Sequence, residues 1–190
     1  MKAAFPFHNL VVAAVLAFAL CDAAAMAATP EETAQLDALF AELQAEEAPQ
    51  AERAEREIWR IWSHSGSPAM DLLLERGRKA MEQGDLEAAV AHFSALIDHA
   101  PDFAEGWNAR ATAWFNMGRY GQSVADIQHT LALNPRHFGA MAGFGVILET
   151  LEKKEQALEV YRAVLAIHPH MQSVNEAATR LEAELAGQEL

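Results

Sequence analysis

The sequence predicts an all-α fold, a solenoid of stacked helix pairs, and three observations carry that expectation. A pattern of 34 residues occurs three times in succession without a gap. Each copy reads as two short helices joined by a tight turn and closed by a proline. The segments before and after the copies keep their apolar residues at helical spacing.

The first segment, residues 1–27, opens with Met1-Lys2 and carries an apolar run from Leu10 to Cys21. It ends on a small-x-small site at Ala25-Met26-Ala27. A short basic region, about a dozen apolar residues and a small-residue cleavage site make a secretory signal peptide, cut after Ala27. The run falls short of the ~20 residues that span a bilayer. Leu20 is bulky where a lipoprotein signal places a small residue before its cysteine. The expected destination is the bacterial periplasm. The chain's one cysteine, Cys21, leaves with the signal, so the mature chain has no thiol for a disulfide or a nucleophile.

Residues 28–67 read as a helical pair. Thr29-Pro30-Glu31-Glu32 places a capping residue, a first-turn proline and two acids at a helix start. Leu36, Leu39, Phe40 and Leu43 follow at helical spacing, and Glu46-Glu47-Ala48-Pro49 breaks the run. A second helix from about Gln50 to His64 carries Ile58, Ile61, Trp59 and Trp62. Two roles stand open for the pair. It caps the exposed end of the first repeat, as an open solenoid requires, or it offers Trp59 and Trp62 as a second docking surface, since exposed tryptophans anchor interfaces.

Residues 68–171 hold the three copies, at about 70–103, 104–137 and 138–171. The central copy turns at Met117-Gly118-Arg119 and closes at Asn134-Pro135. Six columns stay in phase, among them Gly77, Ala111, Gly145; Ala89, Ser123, Ala157; Phe93, Ile127, Tyr161; and Pro101, Pro135, Pro169. A mid-helix glycine costs about 1 kcal/mol relative to alanine. The small-residue columns therefore mark close approach of the two helices, with large residues filling the space around them. Residues 172–190 add one amphipathic capping helix, with Val174, Ala178 and Leu181 on its apolar face, and a polar tail.

In these columns the chain resembles the tetratricopeptide repeat (TPR) family, over about Met70 to Met171. The resemblance implies a right-handed α-α superhelix whose first helices line a concave groove. It departs from the family at Glu152, which stands where Gly84 and Gly118 stand in the other turns. Leu96, Thr130 and Val164 fill a column that the family keeps small, and looser or wider local packing is expected at these places.

Composition narrows the function. A net charge of −13 and a pI near 4.9 argue against nucleic acid and anionic lipid, and favour basic partners. His92 and His99 lie seven residues apart, too far for one metal, and Pro169 between His168 and His170 makes shared coordination awkward. The glycines of Gly139 to Gly145 lie within a helix and do not form a phosphate loop. Ser94, Ser123 and Ser173 have no base at triad spacing and no nucleophile elbow. The chain is thus expected to be no enzyme and to need no metal or cofactor.

What remains is the groove. By the resemblance it is lined by Leu74, Arg78 and Met81 of the first copy, Asn108, Thr112 and Phe115 of the second, and Val146 and Glu149 of the third. The apolar members suit a helix face or an extended peptide; Arg78, Asn108 and Thr112 offer hydrogen bonds to its backbone. The family's grip on a peptide C-terminal carboxylate uses Lys, Asn and Arg from three units. This chain supplies Arg78 alone, with glycine or alanine at most other such positions, so that grip is not expected. The expected function is a non-catalytic adaptor, scaffold or assembly factor with a protein or peptide partner. Two alternatives are a membrane-tethered scaffold that keeps residues 1–27, and a module that self-associates through Trp59, Trp62 or the last helix. A third arrangement would fill the groove with one of the chain's own terminal helices.

Overall fold

The computed structural model of the protein describes residues 30–187. The signal segment 1–27 and the final residues 188–190 lie outside the described residues. Nine helices follow one another among the described residues: α1 (Pro30–Leu43), α2 (Ala48–Trp62), α3 (Pro68–Glu82), α4 (Leu86–His99), α5 (Ala104–Asn116), α6 (Tyr120–Leu133), α7 (Phe138–Thr150), α8 (Lys154–Ile167) and α9 (Gln172–Ala186). Helices α3 to α8 are the three repeated pairs. Each pairs with its neighbour in sequence, and α3, α5 and α7 also lie side by side. None of these helices is long and apolar enough to cross a membrane.

Each pair closes on the small-residue column. A Cβ on Gly77 would stand inside the van der Waals surface of the Phe93 ring, and one on Gly145 inside that of Tyr161. In the middle pair the partner is the smaller Ile127, and Ala111 fits opposite it. Ser123 completes that contact by donating from Oγ to the Ala111 carbonyl at 2.8 Å. Arg110 ties units one and two together, with two hydrogen bonds to Asp126 at 2.7 and 2.8 Å and one to Ser94 at 3.0 Å.

The turns inside the pairs need a left-handed residue. Gly84 and Gly118 supply it at φ 76° and 71°, and Glu152 adopts φ 58° at the same place. The expected loosening there does not occur. Lys153 N–H donates to the Leu148 carbonyl at 2.9 Å, matching Asp85 to Ala80 at 2.9 Å and Arg119 to Trp114 at 2.8 Å. Leu96, Thr130 and Val164 are likewise fully buried. Leu96 gains its room from Gly106 on the next helix, where a Cβ would come within 3.2 Å of it.

The N-terminal pair is where the fold departs from a linear stack. Apolar residues of α3 and α4, with Ala109 and Ala113 of α5, form one cluster around Leu74, Phe93 and Leu96. Those of α1 and α2 belong to a different cluster, with Phe138, Ile147, Tyr161 and Leu181. The pair therefore does not cap the first unit; it folds back onto the third. Sequential stacking is the natural expectation for a repeat array. The two indoles pack against Phe138 and His137 instead, and Phe40 packs on Trp62. The linker that reverses the chain is held by Asp71, which accepts from Ser65 N–H at 2.8 Å and Ser65 Oγ at 2.6 Å and lies 3.0 Å from His64 Nδ1. Polar ties fix the docked pair on the loop before α7 and on the end of α8 and the loop after it. Arg136 meets Asp37 at 2.7 Å, Gln44 donates to the Ala166 carbonyl at 3.2 Å, and His170 Nε2 donates to the Ala45 carbonyl at 2.6 Å.

Candidate interaction groove

The groove side of the array is made by α3, α5 and α7, and the docked end of α2 takes up one part of it. Trp62 is buried and stacks on His137, with ring centroids 4.3 Å apart and planes at 19°. Trp59 is half-buried and meets the edges of His137 and Phe138 at 5.5 and 5.6 Å. Its Cη2 lies 2.6 Å from where a Cβ on Gly139 would be, so only glycine at the start of α7 leaves room for the ring. Trp59 and Trp62 are thus not a free docking surface. Their apolar area is spent within the chain, because the third unit offers a flat aromatic and glycine face that the first unit lacks.

Behind the stacked ring runs a buried polar network. Glu105 is 4% exposed. Its Oε1 accepts from Arg78 Nη2 at 2.6 Å, and its Oε2 accepts from Asn108 Nδ2 at 2.9 Å and lies 3.1 Å from His137 Nε2. His137 is wholly buried and caps α7, with Nδ1 accepting from Ala140 N–H at 3.1 Å. A neutral imidazole with its proton on Nε2 satisfies both contacts at once. Arg78 also donates to Ser63 Oγ at 3.1 Å, which joins the network to the end of α2.

The structure separates the groove residues expected from sequence. Leu74 is 2% exposed and belongs to the core of the first unit, so it is not a groove residue. Packing of the first unit encloses an aliphatic side chain there, whereas Asn108 at the same register of the second unit stays on the hollow. Arg78 is committed to Glu105 and Ser63. Met81 packs half-buried against the first unit's core. Asn108, Thr112, Phe115 and Val146 do come together, around an apolar hollow of about 140 Å³ between α5 and α7 whose floor includes Gly139 and Gly143. Val146 is 41% exposed. Beyond it lies a second, more polar hollow of about 380 Å³, which Glu149 lines with Tyr161, Val174 and Arg180. Glu149 is held there by Arg180 at 2.7 Å and accepts from the Tyr161 hydroxyl at 3.2 Å. Burial, reinforced by the Glu149 carboxylate, pushes the pKa of that hydroxyl up.

Sequence reasoning missed His137 as a member of the site. A signal was present: residues 103, 137 and 171 share one column, filled by Phe, His and Met. A histidine in an otherwise apolar helix-start column calls for a buried polar partner, and Glu105 on α5 is that partner.

Comparison with known proteins agrees with this geometry. The family model described as tetratricopeptide repeat matches residues 74–122 and 111–171. A TPR repeat-containing protein of Rhizobium etli is 38% identical over 154 residues, covering 80% of this chain and 76% of that protein. The small glutamine-rich tetratricopeptide repeat-containing protein 2 of Saccharomyces cerevisiae is 31% identical over 62% of this chain, which spans only 34% of that relative. Among solved structures, the first TPR of Spaghetti (RPAP3), bound to the HSP90 peptide SRMEEVD, superposes with a TM-score of 0.59 at 25% identity. It covers 62% of this chain and 93% of that one. With three repeated pairs closed by the same small-residue contacts, the chain belongs to the tetratricopeptide repeat family.

Proposed function

We propose that this chain is a non-catalytic protein-interaction module that takes a segment of a partner polypeptide in the open part of its groove. The observation that carries the reading is the hollow bounded by Asn108, Thr112, Phe115 and Val146, an apolar concavity left open beside the docked α2. Recognition sites are concave and mostly apolar, with a few polar groups that fix orientation. The likeness to a TPR domain solved with a bound peptide supports the same use of the fold.

The partner is not an acidic tail like the peptide in that structure. Arg78, the one basic side chain among the expected groove residues, is already paired with Glu105 at 2.6 Å. Freeing it would leave a buried carboxylate without its partner, which is strongly unfavourable. A neutral or basic segment suits a chain of net charge −13. The bacterial periplasm is the proposed location, and it rests on the signal pattern of residues 1–27, with the mature chain free of the membrane after cleavage.

Photo-crosslinking in the producing cell tests this reading. A crosslinking residue at Thr112 or Val146 is expected to trap one partner in the envelope, and one at Glu159, exposed on the second helix of the third unit, is not. Equal capture from Glu159, or adducts only with cytoplasmic proteins, contradicts the proposal.

A further inference from the structure

Gly139 and Gly143 lie one turn apart on the same face of α7, and their surroundings differ. The place of a side chain on Gly139 is taken by the Trp59 ring. A Cβ on Gly143 would meet no atom within 4 Å. Glycine inside a helix lowers stability relative to alanine, and at Gly143 no contact within the chain accounts for it. The free space above it is the hollow of about 140 Å³. A dry apolar cavity of about 150 Å³ accepts a benzene molecule, so the hollow has the capacity of one aromatic ring.

We propose that Gly143 is the floor of a second ring seat, in which a partner segment anchors itself through a single aromatic side chain. This deepens the groove reading and rests on it. The occupant follows from three features. The hollow continues an interface the chain already makes, because Gly139 both carries Trp59 and lines the hollow. Its walls, Phe115 and Val146, are apolar, as an aromatic ring requires. At the rim, Thr112 donates its hydroxyl proton to the Asn108 carbonyl at 3.1 Å and keeps lone pairs that accept from an indole N–H or a phenol O–H. The carboxylates nearby, Glu105 and Glu149, are paired with Arg78 and Arg180. Neither arginine is left for an acidic segment, so the residues flanking the ring are neutral or basic.

The test uses a phage-displayed library of random peptides selected on the full chain, with each selected peptide then titrated against Gly143→Leu, Gly143→Ala and Val146→Asp. Leucine at Gly143 fills the seat, enters open space and raises helix propensity. The variant is expected to melt at or above the wild-type temperature. Selected peptides should share one aromatic residue and lose at least about tenfold in affinity on Gly143→Leu, with a smaller loss on Gly143→Ala. Peptides that lack an aromatic residue, or bind Gly143→Leu as well as wild type but weaken on Val146→Asp, overturn the ring seat and leave the groove reading standing. Peptides indifferent to all three variants overturn both. A wild-type dimer in sedimentation that Gly143→Leu dissociates would put a second copy of the chain in the seat and overturn the partner assignment.

Discussion

Trp62 lies flat on His137, centroids 4.3 Å apart, although 75 residues separate them in the chain. That stack joins the N-terminal helical pair to the loop that begins the third unit, and it decides which part of the groove stays open. Removing a buried tryptophan side chain costs about 3–5 kcal/mol. Trp62→Ala is therefore expected to release α1 and α2 while α3 to α9 stay folded. Hydrogen exchange measures this: amides of α1 and α2 lose protection first, and those of Phe93 and Ile127 keep theirs.

Glu105 holds Arg78 on one oxygen and Asn108 and His137 on the other, so its loss takes a partner from three groups. A buried polar group left unpaired costs about 1–3 kcal/mol. Arg78 is partly solvated and contributes at the lower end of such pairs. Glu105→Leu is expected to lower stability by about 1–3 kcal/mol in urea unfolding. A double variant with Arg78→Met should lose less than the sum of the two single changes.

The pairing of Gly77 with Phe93 and of Gly145 with Tyr161 makes an alanine at either glycine harmful, even though alanine is the better helix former. The added methyl meets a ring that is fully enclosed and cannot step aside. Overpacking of this kind costs about 1–3 kcal/mol. Gly77→Ala should lower the urea midpoint, and Phe93→Leu added to it should restore part of the loss.

These contacts were the legible part of the fold. The column of Gly77, Ala111 and Gly145 runs in phase with that of Phe93, Ile127 and Tyr161, and the smallest residues face the largest rings. Periodicity reports which face of a helix is apolar, and that fixed the pairs and the array. It does not report which neighbour covers that face. Trp59 and Trp62 are open to a reading as a cap on the first unit and to one as a docking surface, and the structure uses them for neither. The same gap misplaced Leu74, whose column is polar in the second unit at Asn108 and buried in the first. Thr112, Phe115 and Val146 follow from the family resemblance, which puts the first helices on the groove side, together with the repeat register along those helices.

Glu152 offers a stabilising change. Its φ of 58° is a left-handed conformation that costs a non-glycine residue about 1–2 kcal/mol. Glu152→Gly removes that strain and adds some unfolded-state entropy, for a net gain of up to about 1 kcal/mol. The opposite change, Gly118→Ala, should destabilise by a similar amount. Thermal melts of the two variants check both signs.

The Asp71 carboxyl has a pH signature. Burial pushes its pKa up, but the Ser65 hydroxyl, the Ser65 N–H and His64 together outweigh it, and the net shift is downward from 3.8. The unfolded chain therefore takes up this proton first as pH falls. The stabilisation is fully present above the ordinary Asp value and is lost as pH drops through the lower, folded value. A carboxyl carbon titration by NMR should place Asp71 below the ordinary Asp range, and Ser65→Ala should move it back up.

The measurement that bears most directly on the whole account is a set of nuclear Overhauser contacts from the Trp59 and Trp62 indoles in isotope-labelled protein. Contacts from Trp59 to Gly139 and from Trp62 to His137, with no contact from any other helix to Gly143 beyond α5 and α6, are the predicted result. Contacts from either indole to Leu72 or Leu73 on α3 would instead make the N-terminal pair a cap on the first unit, and would contradict both the filled part of the groove and the hollow beside it.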